Sequence, residues 1–336
     1  SQGAEDWEAV ALALDVELRL HNARDDLTGI QRVFEAFRQT ATRGSDDASA
    51  VCHLGLAMGV LFGDPRDALT AAEVALEITT RAPTHRLKAL WRYLVATQYQ
   101  GLALTEPAMS ALTEARALAA TSGDVRVRFS IESNLASALL DAGRLDHAET
   151  MLERSSELLG SADMAMNRLI QANNYAELAL ARGLYSDARG HYERAESYIG
   201  ATTPPDIVDT INCGVGLSAM QQGDLAEARR REAALGSPSR RWFCDPTTSL
   251  LFRTRTLEVR RDHDQALHML AEVAEDIRHR LVVAWLKVST IRAEKLIKWK
   301  QPDLGRAVAS EALSVAQDLE LEVHAARLGR LSRPDA

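Results

Sequence analysis

Aromatic residues, cysteines and long apolar runs are all scarce in this chain. Phe, Trp and Tyr supply 5% of its 336 residues. Alanine and leucine dominate instead, which favours close-packed helices over a sheet. No run of alternating apolar residues between turn signals reads as a strand. The three cysteines, Cys52, Cys213 and Cys244, are odd in number and far apart. That excludes a disulfide framework or a zinc cluster and makes a reducing compartment, the cytoplasm, the expectation. No apolar run approaches the length needed to span a bilayer. A net charge of −8 argues against a general nucleic-acid surface. Neither membrane nor nucleic acid is therefore an expected partner of this segment.

Catalytic signatures are missing too. The chain contains no Gly-Lys dipeptide, and so no phosphate-binding P-loop, and no H-E-x-x-H, G-x-S-x-G or C-x-x-C. The nine histidines are scattered; His263, His268 and His279 read as surface or capping residues. The carboxylate pairs Asp25-Asp26, Asp46-Asp47 and Glu275-Asp276 sit at turns or on polar faces. A catalytic pair must share a pocket that drives its pKa values apart, so these read as solvated charge. The expectation is a protein that is not an enzyme and holds no metal or cofactor. The first methionine is Met58 although the chain starts at Ser1, which suggests a processed chain or a piece of a longer protein.

A forty-residue repeat is present. Ala68, Ala108, Ala148, Ala188 and Ala228 are each forty apart, followed by Ala266 and Ala307. Gly63, Gly143, Gly183 and Gly223 each stand five residues before one of these alanines. A fixed period of this size marks a stack of supersecondary units. Each unit reads as two helices joined by a glycine that takes φ > 0. In the third clear unit, helix A spans about 125–142, Gly143 closes it, and Asp146 is the candidate N-cap of helix B. Leu145, Ala148, Met151, Leu152, Leu158 and Leu159 form helix B's apolar stripe. The other A helices fall near 84–103, 164–182, 205–222, 246–261 and 280–299. Their B helices fall near 66–82, 107–121, 186–199, 225–235, 264–279 and 303–318. The expected fold is all-α: one right-handed α-solenoid domain over 1–336 with about seven to eight repeats. An atypical first repeat spans 5–44 and a capping helix spans 319–331.

Two segments stand apart. The loop Gly236–Pro246, "GSPSRRWFCDP", carries Arg240, Arg241, Trp242 and Phe243, which either contact a partner or pack between units. Nine arginines fall between residues 229 and 261. They suit either an anionic partner or ordinary solvated helix faces.

The units resemble tetratricopeptide repeats (TPRs). Tyr175-Ala176, Gly183, Ala188, Tyr192 and Ala195 carry the resemblance in one unit, and Leu135-Ala136, Gly143, Ala148, Leu152 and Ser155 in the one before. The usual TPR period is about 34 residues. The longer unit is similar to the TPR-like sensor domain of MalT-type bacterial transcriptional regulators, and to the peptide-sensing repeats of Gram-positive quorum-sensing regulators. HEAT repeats match the length but lack the Gly-x₄-Ala turn. The resemblance implies a concave groove in which helix-A asparagines hydrogen-bond a ligand backbone. Asn134 and Asn174, fourteen residues before Ala148 and Ala188, take that position; the next unit departs, with Gly214. Further groove candidates are Tyr93, Thr97, Ser137, Asn173, Glu177 and Arg255. The alternative is that the asparagines satisfy neighbouring backbone or each other. The resemblance implies a non-catalytic sensor domain of a larger regulator, taking a protein, a peptide or a small-molecule effector. A scaffold for complex assembly is the alternative. A homo-oligomer is left open.

Overall fold

In a computed structural model, apart from a few isolated positions, residues 27–41, 85–101, 104–159, 165–200, 205–235, 247–278, 282–319 and 321–333 are described. Every regular element among them is helical. The helices are α1 (Leu27–Ala41), α2 (His85–Gly101), α3 (Thr105–Ser122), α4 (Val125–Asp141), α5 (Leu145–Leu159), α6 (Ala165–Ala181) and α7 (Tyr185–Glu196). They continue with α8 (Pro205–Gln221), α9 (Leu225–Ala234), α10 (Thr247–Val259), α11 (His263–Ile277), α12 (Val282–Lys298), α13 (Pro302–Asp318) and α14 (Glu322–Leu331). The chain divides into two compact units, Ser1–Asn134 and Leu135–Ala336. In the first, α2 packs on α3 through Ala89, Val95, Ala96, Ala108 and Leu112, all fully buried. Asp124 caps α4 there, accepting from the amides of Arg126 and Val127.

The second unit repeats one turn five times. Gly143, Gly183 and Gly223 have φ of 71°, 73° and 82°, and Arg261 and Lys300 occupy the same slot at 62° and 66°. Each turn closes its A helix with the same pair of backbone bonds. Gly183 N donates to Leu180 O at 3.0 Å and Leu184 N to Ala179 O at 2.8 Å. The pair at Arg261 and Asp262 reaches Glu258 O and Leu257 O. This is the paired closure that satisfies the last carbonyls of a helix with one left-handed residue. The residue after it already supplies the first carbonyl of helix B: Ala188 N donates to Leu184 O at 3.0 Å. A single residue thus reverses the chain and starts the next helix.

The small residue five positions on is where the paired helices meet. Ala148, Ala188 and Ala266 are fully buried and Ala228 nearly so. In the last turn the spacing to Ala307 misplaces the slot. Ala307 is exposed, and counting five from Lys300 leads to Gly305. A Cβ on Gly305 would meet Ile297 Cγ1 at 2.7 Å and Ala293 O at 3.0 Å, so glycine replaces alanine where the helices come closest. Asp146 is likewise not a cap: it lies inside the first turn of α5, and its Oδ1 accepts from Arg182 at 2.8 Å. The cap falls one residue after the left-handed one. There Asp224 and Asp262 accept from the amides of Glu227 and Gln265. In α5, Ser155 completes the buried stripe with Ala148, Met151, Leu152 and Leu159, while Leu145 and Leu158 are half-buried.

Carboxylates of their own helix or of neighbouring helices hold five of the nine arginines between 229 and 261. Arg231 pairs with Glu227 and Glu196, Arg230 with Glu227, Arg253 with Asp209, Arg255 with Glu258 and Arg260 with Glu232. The solvated-face reading therefore fits them better than an open anion site. Glu258 also receives Lys295 at 2.7 Å, and Lys298. Burial alone would raise the Glu258 carboxyl, but the two lysines outweigh it and hold it down to about 2.

Two outcomes follow. Gly183→Ala adds a Cβ that meets nothing within 4 Å, so it tests backbone strain alone. It should cost about 1 kcal/mol, read as a lower urea midpoint at unchanged m-value. Glu258, depressed from an ordinary 4.5 to about 2, contributes stability that is present above pH 4.5 and lost as pH falls towards 2. Glu258→Gln should flatten acid unfolding across that window in a circular-dichroism titration.

Candidate ligand-binding face

Counting back from each left-handed residue places equivalent side chains along the A helices. Nine positions back stand Asn134, Asn174, Gly214, Phe252 and Ile291. Six back stand Ser137, Glu177, Leu217, Arg255 and Glu294. Tyr93, Thr97 and Asn134 belong to the first unit; Ser137, Asn173, Asn174, Glu177 and Arg255 belong to the second. All eight are half-buried.

In the first unit Asn134 is engaged by the protein. Its Nδ2 donates to Tyr93 Oη at 3.1 Å and to Ser130 O at 2.9 Å, while Gln100 Nε2 donates to its backbone carbonyl at 3.1 Å. Burial pushes the Tyr93 phenol above its usual range, against the opposing pull of the Asn134 and Ser130 hydrogen bonds.

In the second unit Glu177 is the centre. Tyr192 Oη donates to its Oε1 at 2.6 Å, and Thr248 Oγ1 donates to Oε1 at 3.0 Å and Oε2 at 3.2 Å. Thr248 lies on α10, two A helices beyond α6, with α8 intervening in the stack. Gly214 of α8 explains how the link is made. A Cβ there would lie within 2.5 Å of three Tyr192 ring carbons. The asparagine slot is empty in this repeat because the Tyr192 ring fills it. Gly216 likewise leaves room for the ring of Phe252, which its Cβ would meet within 2.9 Å. Tyr192 is fully buried. Burial, and then the charge of Glu177, hold its phenol well above the ordinary range.

Beside Glu177, Asn173 keeps its amide oxygen buried with no hydrogen-bond partner among the described residues. Burial lifts the Cys213 thiol of the neighbouring helix to about 11. That makes it an inert packing sulfur rather than a nucleophile. Arg255 donates to Glu258 at 3.2 Å. The loop with Arg240, Arg241, Trp242 and Phe243, and also His279, lie outside the described residues. His263 stacks on Trp299 with ring centroids 4.2 Å apart, and His268 pairs with Glu272. No group of His, Cys, Asp or Glu that could hold a metal occurs among the described residues. No helix among them is long and apolar enough to cross a membrane.

Sequence spacing missed one contact of this unit. Lys287 Nζ on α12 reaches Asp141 Oδ1 at the end of α4, at 2.7 Å. At the next turn, a Cβ on Gly143 would meet Val323 Cγ2 of α14 at 3.0 Å. The unit's first turn thus lies against its last helices. The separation of 146 residues is far outside the forty-residue period, so no local signal announces it.

No protein-family model matches the chain, and no curated protein matches it by sequence. Solved structures do. The apo form of the quorum sensor NprR from B. thuringiensis is 14% identical, with a TM-score of 0.61 over 95% of this chain and 90% of that one. The Rap conjugation gene regulator of the plasmid pLS20, in complex with the Phr* peptide, is 12% identical, with a TM-score of 0.63 over 95% and 97%. A signal transduction ATPase with numerous domains and a tetratricopeptide repeat sensor, from Pyrococcus horikoshii, is 14% identical, with a TM-score of 0.51. It matches 98% of this chain, which spans 50% of that protein. The fold is a TPR-like helical repeat.

The buried tyrosine gives a test of the Glu177 cluster. A phenol raised in the folded state contributes stability that is intact below pH 10 and lost as pH climbs from there towards its native value. Tyr192→Phe should remove part of the alkaline destabilisation, with a slope change of at most about 1.4 kcal/mol per pH unit. At neutral pH it should cost about 1 kcal/mol for the lost hydrogen bond. Paired urea titrations at pH 7 and 11 read both.

Proposed function

We propose that this chain is a non-catalytic sensor module that takes an extended peptide on the A-helix face of its second unit. Asn173, Asn174, Glu177 and Arg255 would form the contact surface. The observation that carries the reading is Asn173. A buried amide oxygen without a donor is costly, and a backbone N–H of a bound strand supplies one. An amide beside it offers both donor and acceptor, which suits peptide backbone. The TPR-like fold supports the reading, since solved structures of this fold include a regulator in complex with a peptide.

The Asp141–Lys287 pair gives such a module a responsive part. Both side chains are partly exposed, at 33% and 26%, so the pair is salt-sensitive and weak. A ligand with higher affinity for one spacing of the A helices would shift the population of the closed pair. Attached regulatory domains would read that shift.

A displayed library of random linear dodecapeptides, panned on the chain, supplies the test. Selected peptides should lose at least tenfold in affinity on Asn173→Ala, equivalent to about 1.4 kcal/mol. They should also lose on Asn174→Ala. Lys287→Ala should change their affinity without touching the contact residues. Peptides that bind the Asn173→Ala and Asn174→Ala variants as tightly as the parent would place the ligand elsewhere. A parent gene encoding neither an ATPase nor a DNA-binding domain would remove the regulator context.

A further inference from the structure

A cavity of about 290 Å³ opens where α5 and α7 flank α6. Its residues on α6 include Arg168, Ala172 and Tyr175. Asn173, Asn174 and Glu177 belong to the opposite side of the same helix, since each residue turns about 100°. The cavity is therefore separate from the peptide face.

Comparison with its sister creases shows what makes it a cavity. Its three positions Ser156, Ala172 and His191 correspond, one repeat on, to Glu196, Asn212 and Arg231. There the space is closed: Arg231 donates to Glu196 and, at 2.8 Å, to Asn212 Oδ1. In the crease of α11, α12 and α13, Trp285 stands where Arg168 stands, and Glu311 where Arg194 stands. Arg278 lies over the Trp285 ring, 5.5 Å from its centroid, and pairs with Glu311. Both sisters plug the crease with a guanidinium and its carboxylate. Here the carboxylates are replaced by Ser156 and Arg194, and the plug is gone.

The chemistry left behind is specific. Arg168 and Arg194 both line the cavity, and no acidic residue does. Tyr175 and His191 form a stacked wall, with centroids 5.3 Å apart and planes 17° from parallel. Burial and the neighbouring Arg194 lower the imidazole pKa, so the wall is uncharged at neutral pH. Gln171 holds the floor, donating to Leu152 O at 3.0 Å and Ser155 Oγ at 3.1 Å. The Tyr175 hydroxyl is fixed by Ser156 at 3.2 Å.

We infer that this crease is a second binding site, for a carboxylate carried on a flat aromatic ring. The ring lies along the Tyr175–His191 wall and the carboxylate takes the place beside Ser156 that Glu196 holds in the neighbouring crease. Guanidinium groups pair with carboxylates in a forked geometry, and flat rings stack. A free aromatic acid and the C-terminal aromatic residue of a peptide share that chemistry.

Calorimetric titration of the whole chain with 2-naphthoate tests it, with 2-naphthamide as the uncharged control. Naphthoate should bind at least tenfold more tightly than naphthamide, and Arg194→Gln should erase the difference. Ser156→Glu with His191→Arg transplants the neighbouring plug and should abolish binding while leaving the circular-dichroism melt in place. Asn173→Ala should leave naphthoate binding unchanged, which separates this site from the peptide face. Ala-Ala-Phe with a free terminus binding more tightly than naphthoate, and its amide not binding, would assign the natural ligand to a peptide end. Equal binding of naphthoate and naphthamide, or naphthoate binding that survives the transplanted plug, would overturn the proposal.

Discussion

One left-handed residue between the two helices of each repeat in the second unit governs this structure. It closes helix A with two backbone bonds and lets helix B begin on the following residue. Because no loop intervenes, the two helices cross within a turn of the reversal, and only a residue with little or no side chain fits the crossing. The alanine or glycine five residues on is thus a consequence of the turn. Glycine is the cheapest occupant of the turn because it has no Cβ to clash. Arg261 and Lys300 show that the geometry is imposed even when the residue pays steric strain for it. Packing across the repeat overrides the local preference there.

The rigid turn also organises the side chains. Each repeat offers the same slots to its neighbours, so one substitution changes a local surface without disturbing the stack. At the Asn174 slot, glycine in the next repeat admits the Tyr192 ring and draws Glu177 and Thr248 into one buried cluster. At the crease, serine and alanine in place of glutamate and asparagine convert a closed ion pair into a cavity. Variation within a fixed period is how a solenoid acquires sites. Both candidate sites here are departures of that kind.

Legibility in the sequence follows the range of the interaction. The helix limits and the turn glycines could be read because they depend on residues within one unit. The A helix expected near 164–182 is Ala165–Ala181, and the B helix expected near 303–318 is Pro302–Asp318. The last small-residue slot was misplaced at Ala307 because its turn residue is Lys300, which carries no glycine signal. Asp146 looked like a cap because it begins the polar run, yet its carboxylate serves Arg182 of the next repeat. The arginines between 229 and 261 looked like a basic patch because several of their partners, Glu196, Asp209 and Glu227, lie outside that stretch.

By itself the sequence determined the repeat, the all-helical class and the register of the glycine turns, since period and turn chemistry are local properties of the chain. The tertiary structure alone decided which repeated positions are filled, paired or open. It joined Thr248 to Glu177 across an intervening helix and set Lys287 against Asp141. It also left the crease beside Tyr175 unplugged. Those outcomes depend on side chains from different repeats meeting in space, and their spacing along the chain carries no record of the meeting.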